Sequence, residues 1–245
     1  MNSKLPELSI FFPFWNEEEN IERVVRRAIP VAENIAEKWE IIMIDDGSAD
    51  HTLETAERLA ADSPNLISVS HQPNRGYGAA LKDGFKNAKY DFVVFTDGDG
   101  QFDFSEVARF IEKIRDSDMV IGFRKRRRDH PLRRVLMKLL KVWDFIFFRF
   151  YFKDIDCGFK LFKRSALEKI MPLKSEGAMI STEILAKAKR SGLKIAEVEV
   201  THLARKFGDQ SGANPRVIIR AILESFNLWY EMRYEKSASA DIYKV

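Results

Sequence analysis

Apolar and amphipathic segments alternate along the chain in a regular order. Apolar runs at 8–14, 40–48, 65–71 and 90–100 predict four buried strands. Residues 16–38, 49–63 and 79–89 carry apolar side chains at helical spacing, and Asn16 is predicted to cap the first of these helices. Strands that alternate with helices predict an α/β fold, with a mostly parallel sheet covered by helices on both faces.

Each predicted strand is followed by a short segment of unusual composition. These segments are residues 15–17 (WNE), 45–48 (DDGS), 74–78 (NRGYG) and 97–99 (DGD). Ligands of parallel sheets bind outside the carboxyl ends of the strands, where these segments are predicted to meet. Four such segments at one edge favour a nucleotide and metal site over a solvated acidic turn.

Asp97 and Asp99 are separated by one glycine at the end of the fourth predicted strand. Desolvating two neighbouring carboxylates costs free energy unless a cation lies between them, so a divalent metal is predicted here. The stretch does not fit an EF-hand loop, because Gln101, Phe102 and Ala108 occupy the fifth, sixth and twelfth positions. Neither a Walker-type phosphate loop nor a complete G-x-G-x-x-G is present.

The composition narrows the class of protein further. The chain has 245 residues, of which 45% are hydrophobic and 31% charged, which suits a single globular core. Its single cysteine, Cys157, excludes an intramolecular disulfide. Since neither a secretory signal nor a spanning apolar stretch is recognised, we expect a cytoplasmic protein, peripherally associated with the cytoplasmic face of a membrane.

Positive charge is concentrated in one run, although the net charge is only +3. Residues 124–128 read RKRRR, and Arg133 follows closely. The run predicts an anionic partner, and the alternative is an exposed, solvated loop. Nucleic acid is not predicted, because no binding motif accompanies the run. The aromatic stretch 135–152 behind it is typical of an interfacial amphipathic helix, or of a core helix that covers the sheet.

The motifs together resemble the family 2 glycosyltransferases of GT-A fold, in particular the polyprenyl-phosphate (dolichyl-phosphate) mannosyl- and glucosyltransferases. The resemblance is carried by residues 13–17, 45–50, 74–79 and 97–101, and covers about residues 10–215. Residues 153–162 (KDIDCGFKLF) are more similar to the glucosyl and bacterial polyprenyl branches than to the mannosyl branch. The resemblance implies a GT-A domain over residues 1–210, followed by an amphipathic helix and polar tail over 211–245.

The same resemblance implies roles for individual residues. The donor-binding residues would be Pro13, Trp15, Glu17, Asp46, Asp97, Gly98 and Arg205. Mg²⁺ or Mn²⁺ would be held on the donor diphosphate by Asp97, Asp99 and Gln101. The catalytic residues would be Asp99, Arg124 and Arg133, the two arginines receiving the acceptor phosphate. Met137 and the Gln210-Ser211 region depart from the family pattern, in which a serine and a lysine are expected.

The predicted reaction is an inverting, metal-dependent transfer of a hexose from a GDP- or UDP-linked sugar to polyprenyl or dolichyl phosphate. A phosphate acceptor is already anionic near neutral pH, so arginines can place it without a general base. One alternative is transfer to a sugar hydroxyl with Glu183 as the base, although an ordinary helix carboxylate also explains Glu183.

The other alternative is a non-catalytic module that binds anionic membranes, which would leave the acidic loops unexplained. The predicted partners are therefore a nucleotide-sugar donor, a polyprenyl-phosphate acceptor and a membrane surface. A homodimer is also predicted.

Overall fold

A computed structural model describes residues 4–125, 146–207, 224–230 and 232–233. The strands are β1 (Leu5–Phe14), β2 (Ala36–Asp45), β3 (Leu66–Ser70), β4 (Phe92–Thr96), β5 (Met119–Arg124), β6 (Phe159–Lys163) and β7 (Ile195–Val200). The helices are α1 (Ile21–Ile35), α2 (Thr52–Asp62), α3 (Tyr77–Asn87), α4 (Val107–Ile114), α5 (Arg164–Ile170) and α6 (Ile180–Arg190).

All seven strands form one sheet in the order β3-β2-β1-β4-β6-β5-β7. Strands β3, β2, β1 and β4 are parallel to one another, as are β5 and β7. Only β6 runs in the opposite direction, between β4 and β5. Because of this reversal, the residues just before β6 lie at the edge where β4 ends, and the Asp97 N–H donates to the Gly158 carbonyl at 3.0 Å.

The core has two halves, one on each face of the sheet. Helices α1, α2 and α4 pack on one face, and α3, α5 and α6 pack on the other. Strand β1 shows the origin of this division, because Ile10 and Phe12 join the first cluster while Phe11 joins the second. Alternate side chains of a strand point to opposite faces, so a strand that is apolar on both faces over residues 10–12 needs helices on both sides. The predicted fold class is confirmed.

Two predicted boundaries near the N-terminus are wrong. Helix α1 begins at Ile21, five residues later than expected, and Asn16 does not cap it. The side chain of Asn16 instead accepts the Ala49 N–H at 2.8 Å, with the backbone in the left-handed region at φ 53°. Strand β2 begins at Ala36, because its first residues pair with the start of β1 although their sequence suits a helix.

Several predictions lie outside the described residues. These predictions concern Arg133, Met137, and most of the basic run and of the aromatic stretch. The predicted domain boundary near residue 210 also lies outside the described residues. Within the parts of the chain that the structure describes, no helix has the length and apolarity needed to cross a membrane. Residues 224–230 are helical, and Arg190 at the end of α6 donates to the Met232 carbonyl at 2.6 Å.

Candidate active site

The loop after β1 donates two backbone hydrogen bonds to hydroxyl groups of residues that follow β2. The Asn16 N–H donates to Ser48 Oγ at 2.9 Å, and the Glu17 N–H donates to Thr52 Oγ1 at 2.8 Å. Trp15 lies between these contacts and the end of β1, with 46% of its surface exposed. These bonds fix the backbone of the two loops while leaving the indole of Trp15 open to a ligand.

Asp46 organises the loop that follows β3. Its carboxylate accepts the backbone N–H groups of Arg75 and Gly76, at 2.9 Å and 3.0 Å. The Asn74 side chain donates to the Asp46 carbonyl at 2.7 Å. Burial raises the pKa of Asp46, although these N–H groups and the neighbouring His71 oppose the shift. Asp46 therefore holds the backbone of the loop after β3, and its predicted donor contact stays a prediction.

Asp97 and Asp99 lie directly after β4, as predicted. The Tyr77 hydroxyl donates to Asp97 Oδ1 at 2.7 Å. Burial and the neighbouring charge of Asp99 raise the pKa of Asp97 to about 7. Gly98 is required between them, because a Cβ there would overlap the Phe14 ring. A carboxyl group whose ionisation is disfavoured by burial and by a neighbouring carboxylate forms part of a site that gains from a cation.

The backbone of Gly158 packs directly against the Asp97 carboxylate. A Cβ on Gly158 would overlap both carboxylate oxygens of Asp97. The carboxylate therefore lies flat against the backbone of the chain that enters β6, in a space that only glycine leaves open.

Arg205 connects the second carboxylate to the loop after β1. Its Nη1 lies 3.6 Å from Asp99 Oδ2, and its Nη2 is paired with Glu17 Oε1. Asn20 donates to the other oxygen of Glu17 at 2.6 Å. Burial raises the pKa of Glu17, which the bonds from Asn20 and Arg205 partly offset. The predicted donor-binding residues Glu17 and Arg205 and the predicted metal ligand Asp99 are thus brought together.

Gln101 holds the segment that carries Arg205. Its side-chain amide donates to the Leu203 carbonyl at 3.0 Å, and the Leu203 N–H donates to the Gln101 carbonyl at 2.8 Å. Asp99 Oδ1 in turn accepts the Gln101 N–H at 3.0 Å. The amide oxygen of Gln101 is the atom available to a metal, since its nitrogen is used within the protein.

The residues present fit a divalent metal that a substrate helps to bind. Across the described ranges, no three His, Cys, Asp or Glu side chains are placed to hold a metal by themselves. Asp97 and Asp99 provide two carboxylates, and Mg²⁺ is typically bound by one or two carboxylates together with substrate phosphates. Asp97 and Asp99, with the amide oxygen of Gln101, would hold the cation.

The predicted acceptor arginine, Arg124, is already paired. Its Nε lies 2.7 Å from Asp154 Oδ2 and its Nη2 lies 3.1 Å from Oδ1. Both side chains are almost fully buried, and the hydrogen bond and charge of Asp154 outweigh burial to raise the pKa of Arg124. The structure therefore shows the fork of Arg124 bound to Asp154, while Arg133 lies outside the described residues.

Glu183 is fully buried in the first turn of α6. Its carboxylate accepts the backbone N–H groups of Lys174 at 2.9 Å and Ser175 at 2.7 Å, and pairs with Lys187 Nζ at 2.6 Å. Burial would raise the pKa of Glu183, but these three donors lower it. A carboxylate with a lowered pKa and occupied oxygens is poorly suited to act as a general base.

Sequence reasoning gave no role to several residues that shape the site. They are Tyr77, Asp154, Gly158 and Lys160, the last fully buried with Nζ donating to the Cys157 carbonyl at 2.5 Å. Three of them belong to the KDIDCGFKLF segment, whose glycine and isolated charges in an apolar run were the available signal.

A GT-A glycosyltransferase is the class of protein that this fold and site define. The sequence model of the family described as Glycosyl transferase family 2 matches residues 9–171. The match covers more than half of the chain, and the protein belongs to this family.

Two curated relatives are similar over most of the chain. The dolichyl-phosphate beta-glucosyltransferase of Saccharomyces cerevisiae is 31% identical over 220 residues, covering 79% of this chain and 66% of the relative. The dodecaprenyl-phosphate galacturonate synthase of Rhizobium johnstonii is 27% identical over 237 residues, covering 94% of this chain and 68% of the relative. The chain thus spans about two thirds of the length of each.

The fold is also similar to that of a solved enzyme. Glucosyl-3-phosphoglycerate synthase from Mycobacterium tuberculosis superposes with a TM-score of 0.68 at 21% identity, covering 90% of this chain and 80% of the other. This likeness confirms the GT-A fold.

Proposed function

We propose that this chain transfers a hexose from a nucleotide sugar to a polyprenyl or dolichyl phosphate, with inversion at the sugar carbon. The observation that carries the proposal is the pair of carboxylates after β4, with Arg205 3.6 Å from Asp99 at the same sheet edge. The names of the yeast and Rhizobium relatives support the class of acceptor, since both name a polyprenyl-type phosphate.

The donor half of the site suits a departing diphosphate. A divalent cation bound by Asp97 and Asp99 would stabilise the negative charge that develops on the leaving nucleoside diphosphate. Arg205 supplies a second positive charge beside Asp99, and Glu17 fixes its direction through a direct ion pair. The guanidinium fork is suited to phosphate oxygens, so we assign Arg205 to the donor diphosphate.

The acceptor half favours a phosphate over a sugar hydroxyl. A hydroxyl acceptor must lose a proton to a positioned base, and Glu183 was the candidate. Its oxygens are already bound to Lys174, Ser175 and Lys187, which removes the specific support for that alternative. A phosphate oxygen can attack the sugar carbon directly from the face opposite the diphosphate, which inverts its configuration.

The two candidate arginines take different roles in this proposal. Arg124 is bound to Asp154 through both of its forked nitrogens, so we assign it to positioning of the chain beside the site. Arg133 is assigned to direct contact with the acceptor phosphate.

We expect both Arg124→Lys and Arg133→Lys to lower transfer to a short, water-soluble polyprenyl phosphate at least about tenfold, the effect of losing one charge-assisted hydrogen bond. Lysine keeps the charge but cannot form the fork. Lys125→Ala is the control, because Lys125 is exposed and lies 3.5 Å from Glu199, and it should change the rate less than about threefold. Equal losses in all three variants, or none, would contradict a specific role for Arg124 and Arg133 in transfer.

An aromatic and basic surface supports peripheral attachment to a membrane. The Phe147 ring meets Phe226 at 5.7 Å and Trp229 at 5.6 Å between ring centroids, and Arg233 lies over Trp229 at 5.4 Å. Tyr230 beside them is largely exposed. Aromatic rings next to cations are typical of surfaces that lie in the headgroup region of a bilayer.

A screen of radiolabelled UDP- and GDP-sugars against a polyprenyl phosphate, with Mn²⁺ present, tests the proposed reaction. We expect one donor to give a labelled lipid whose sugar is released by mild acid. The free polyprenol, which lacks the phosphate, should not accept the sugar. Transfer to the polyprenol or to a soluble sugar, with none to the polyprenyl phosphate, would reject the proposed acceptor.

A further inference from the structure

The loop formed by residues 172–176 packs closely on the first turn of α3. The Gly78 N–H donates to the Glu176 carbonyl at 2.8 Å. A Cβ built on Gly78 would lie 2.6 Å from the Ser175 carbonyl oxygen, and one on Gly76 would lie 2.7 Å from that of Glu176. Backbone meets backbone here without space for a side chain, so the position of this loop determines where α3 begins.

Glu183, in the first turn of α6, fixes the 172–176 loop. Its carboxylate receives two backbone N–H groups of that loop, from Lys174 and Ser175, and the ammonium of Lys187. The carboxylate is fully buried, so these bonds are formed without competition from bulk water. A buried carboxylate that accepts several donors holds their geometry strongly, because the two backbone N–H groups would lose their acceptor by its removal.

Tyr77, the first residue of α3, connects this loop to Asp97. Its hydroxyl donates to Asp97 Oδ1 at 2.7 Å, and neighbouring Gly76 is bound through its N–H to Asp46. The residues on both sides of Tyr77 are therefore fixed: Gly76 is bound to Asp46, and Gly78 is bound to the 172–176 loop. The hydrogen bond to one oxygen of Asp97 sets the rotation of the carboxylate and the direction of the other oxygen.

We propose that Tyr77 is a positioning residue for the divalent cation, and that Glu183 acts on the same cation through the 172–176 loop and Tyr77. The inference rests on the proposed metal role of Asp97 and Asp99. It gives Glu183 a task in the reaction that involves no proton transfer. Hydrogen bonds to ligating carboxylates orient the ligands and raise metal affinity, which is the effect assigned to Tyr77.

Titration of the full chain with Mn²⁺ in excess UDP or GDP, followed by electron paramagnetic resonance with the nucleotide alone as the blank, tests the role of Tyr77. We expect Tyr77→Phe to weaken Mn²⁺ binding about tenfold, the lower end of the range for such outer partners. Tyr90→Phe is the matched control, since Tyr90 precedes β4 at the end opposite Asp97, and it should bind Mn²⁺ as the wild type does.

The role of Glu183 is tested by the same titration and by the rate of transfer. We expect Glu183→Gln to weaken Mn²⁺ binding about threefold and to keep more than about a tenth of kcat, with an unchanged pH profile, because no general base is lost. The double variant with Tyr77→Phe should bind Mn²⁺ no more weakly than Tyr77→Phe alone, because the two residues act in series.

The outcomes separate the failure of this inference from failure of the proposed function. If the wild type binds Mn²⁺ and Tyr77→Phe binds it equally well, the role of Tyr77 is rejected while the metal site stands. Fully additive losses in the double variant would reject the connection through Glu183. A thousandfold fall in kcat for folded Glu183→Gln would instead support Glu183 as a general base, and with it a hydroxyl acceptor. A wild type that binds no Mn²⁺ even with UDP or GDP present would overturn both the metal site and this inference. Should Glu183→Gln fail to fold, Tyr77→Phe alone decides.

Discussion

Asp99→Asn should lower transfer at least about a thousandfold, because loss of a metal ligand removes several kcal/mol of stabilisation from the departing diphosphate. Asparagine has nearly the same volume and can still accept the Gln101 N–H that Asp99 Oδ1 accepts at 3.0 Å. The local turn should therefore persist, and the midpoint of thermal unfolding should change little. Steady-state kinetics with Mn²⁺, together with thermal unfolding followed by circular dichroism, provides the measurement.

Asp103→Asn is the control for the acidic stretch. Asp103 is exposed, and its side chain accepts the Ser105 N–H at 3.0 Å, a contact that asparagine can replace. We expect this variant to retain its activity. The wild type should also lose activity when bound metal is removed and a chelator is present in excess, and should regain it with Mn²⁺. Full activity of the stripped protein in chelator would reject the metal.

Gly158→Ala should lower both Mn²⁺ binding and transfer at least about a hundredfold, a loss of about 2.7 kcal/mol in each. The added methyl group would occupy the space of the Asp97 carboxylate, which lies flat on the Gly158 backbone. Asp97 cannot move away and still accept the Tyr77 hydroxyl, so the second oxygen would be misdirected. Titration with Mn²⁺ in excess UDP or GDP and the rate of transfer measure the two losses separately.

Gly177→Ala is the matched control for this steric argument. The nearest atoms to an added methyl group there are the Glu224 carboxylate oxygens, at 3.2 Å and 3.4 Å. These atoms end a flexible side chain that can adjust, so activity should change little. If Gly158→Ala folds and binds Mn²⁺ as the wild type does, the backbone beneath Asp97 does not control the metal site.

The parallel half of the sheet could be predicted from the sequence because its signals are local. Strands β1 to β4 are short apolar runs, and each is followed by polar or glycine residues at its carboxyl end. Periodicity therefore identified the strands, and the general behaviour of parallel sheets located the candidate site. The first helix boundary was missed because Asn16 and Glu17 bind the loop after β2, a tertiary contact that no local pattern reveals.

The connections behind the site could not be predicted because they join distant parts of the chain. Strand β6 has no local signal for its antiparallel direction, although that direction brings Gly158 to Asp97. The pairs Arg124–Asp154 and Tyr77–Asp97 are separated by 30 and 20 residues. Charge and residue type suggested a phosphate contact for Arg124, but only the fold shows that its fork is bound to a buried carboxylate.

The bond between Arg124 and Asp154 has a consequence for protein engineering. It joins the two ends of the segment that leaves β5 and returns before β6, and the Lys153 N–H adds a second attachment by donating to Glu197 of β7 at 2.7 Å. A segment whose ends are closed in this way is a natural unit for exchange between relatives. Chimeras that transplant residues 125–153 while keeping Arg124, Asp154 and Glu197 should alter the choice of acceptor and preserve recognition of the nucleotide sugar.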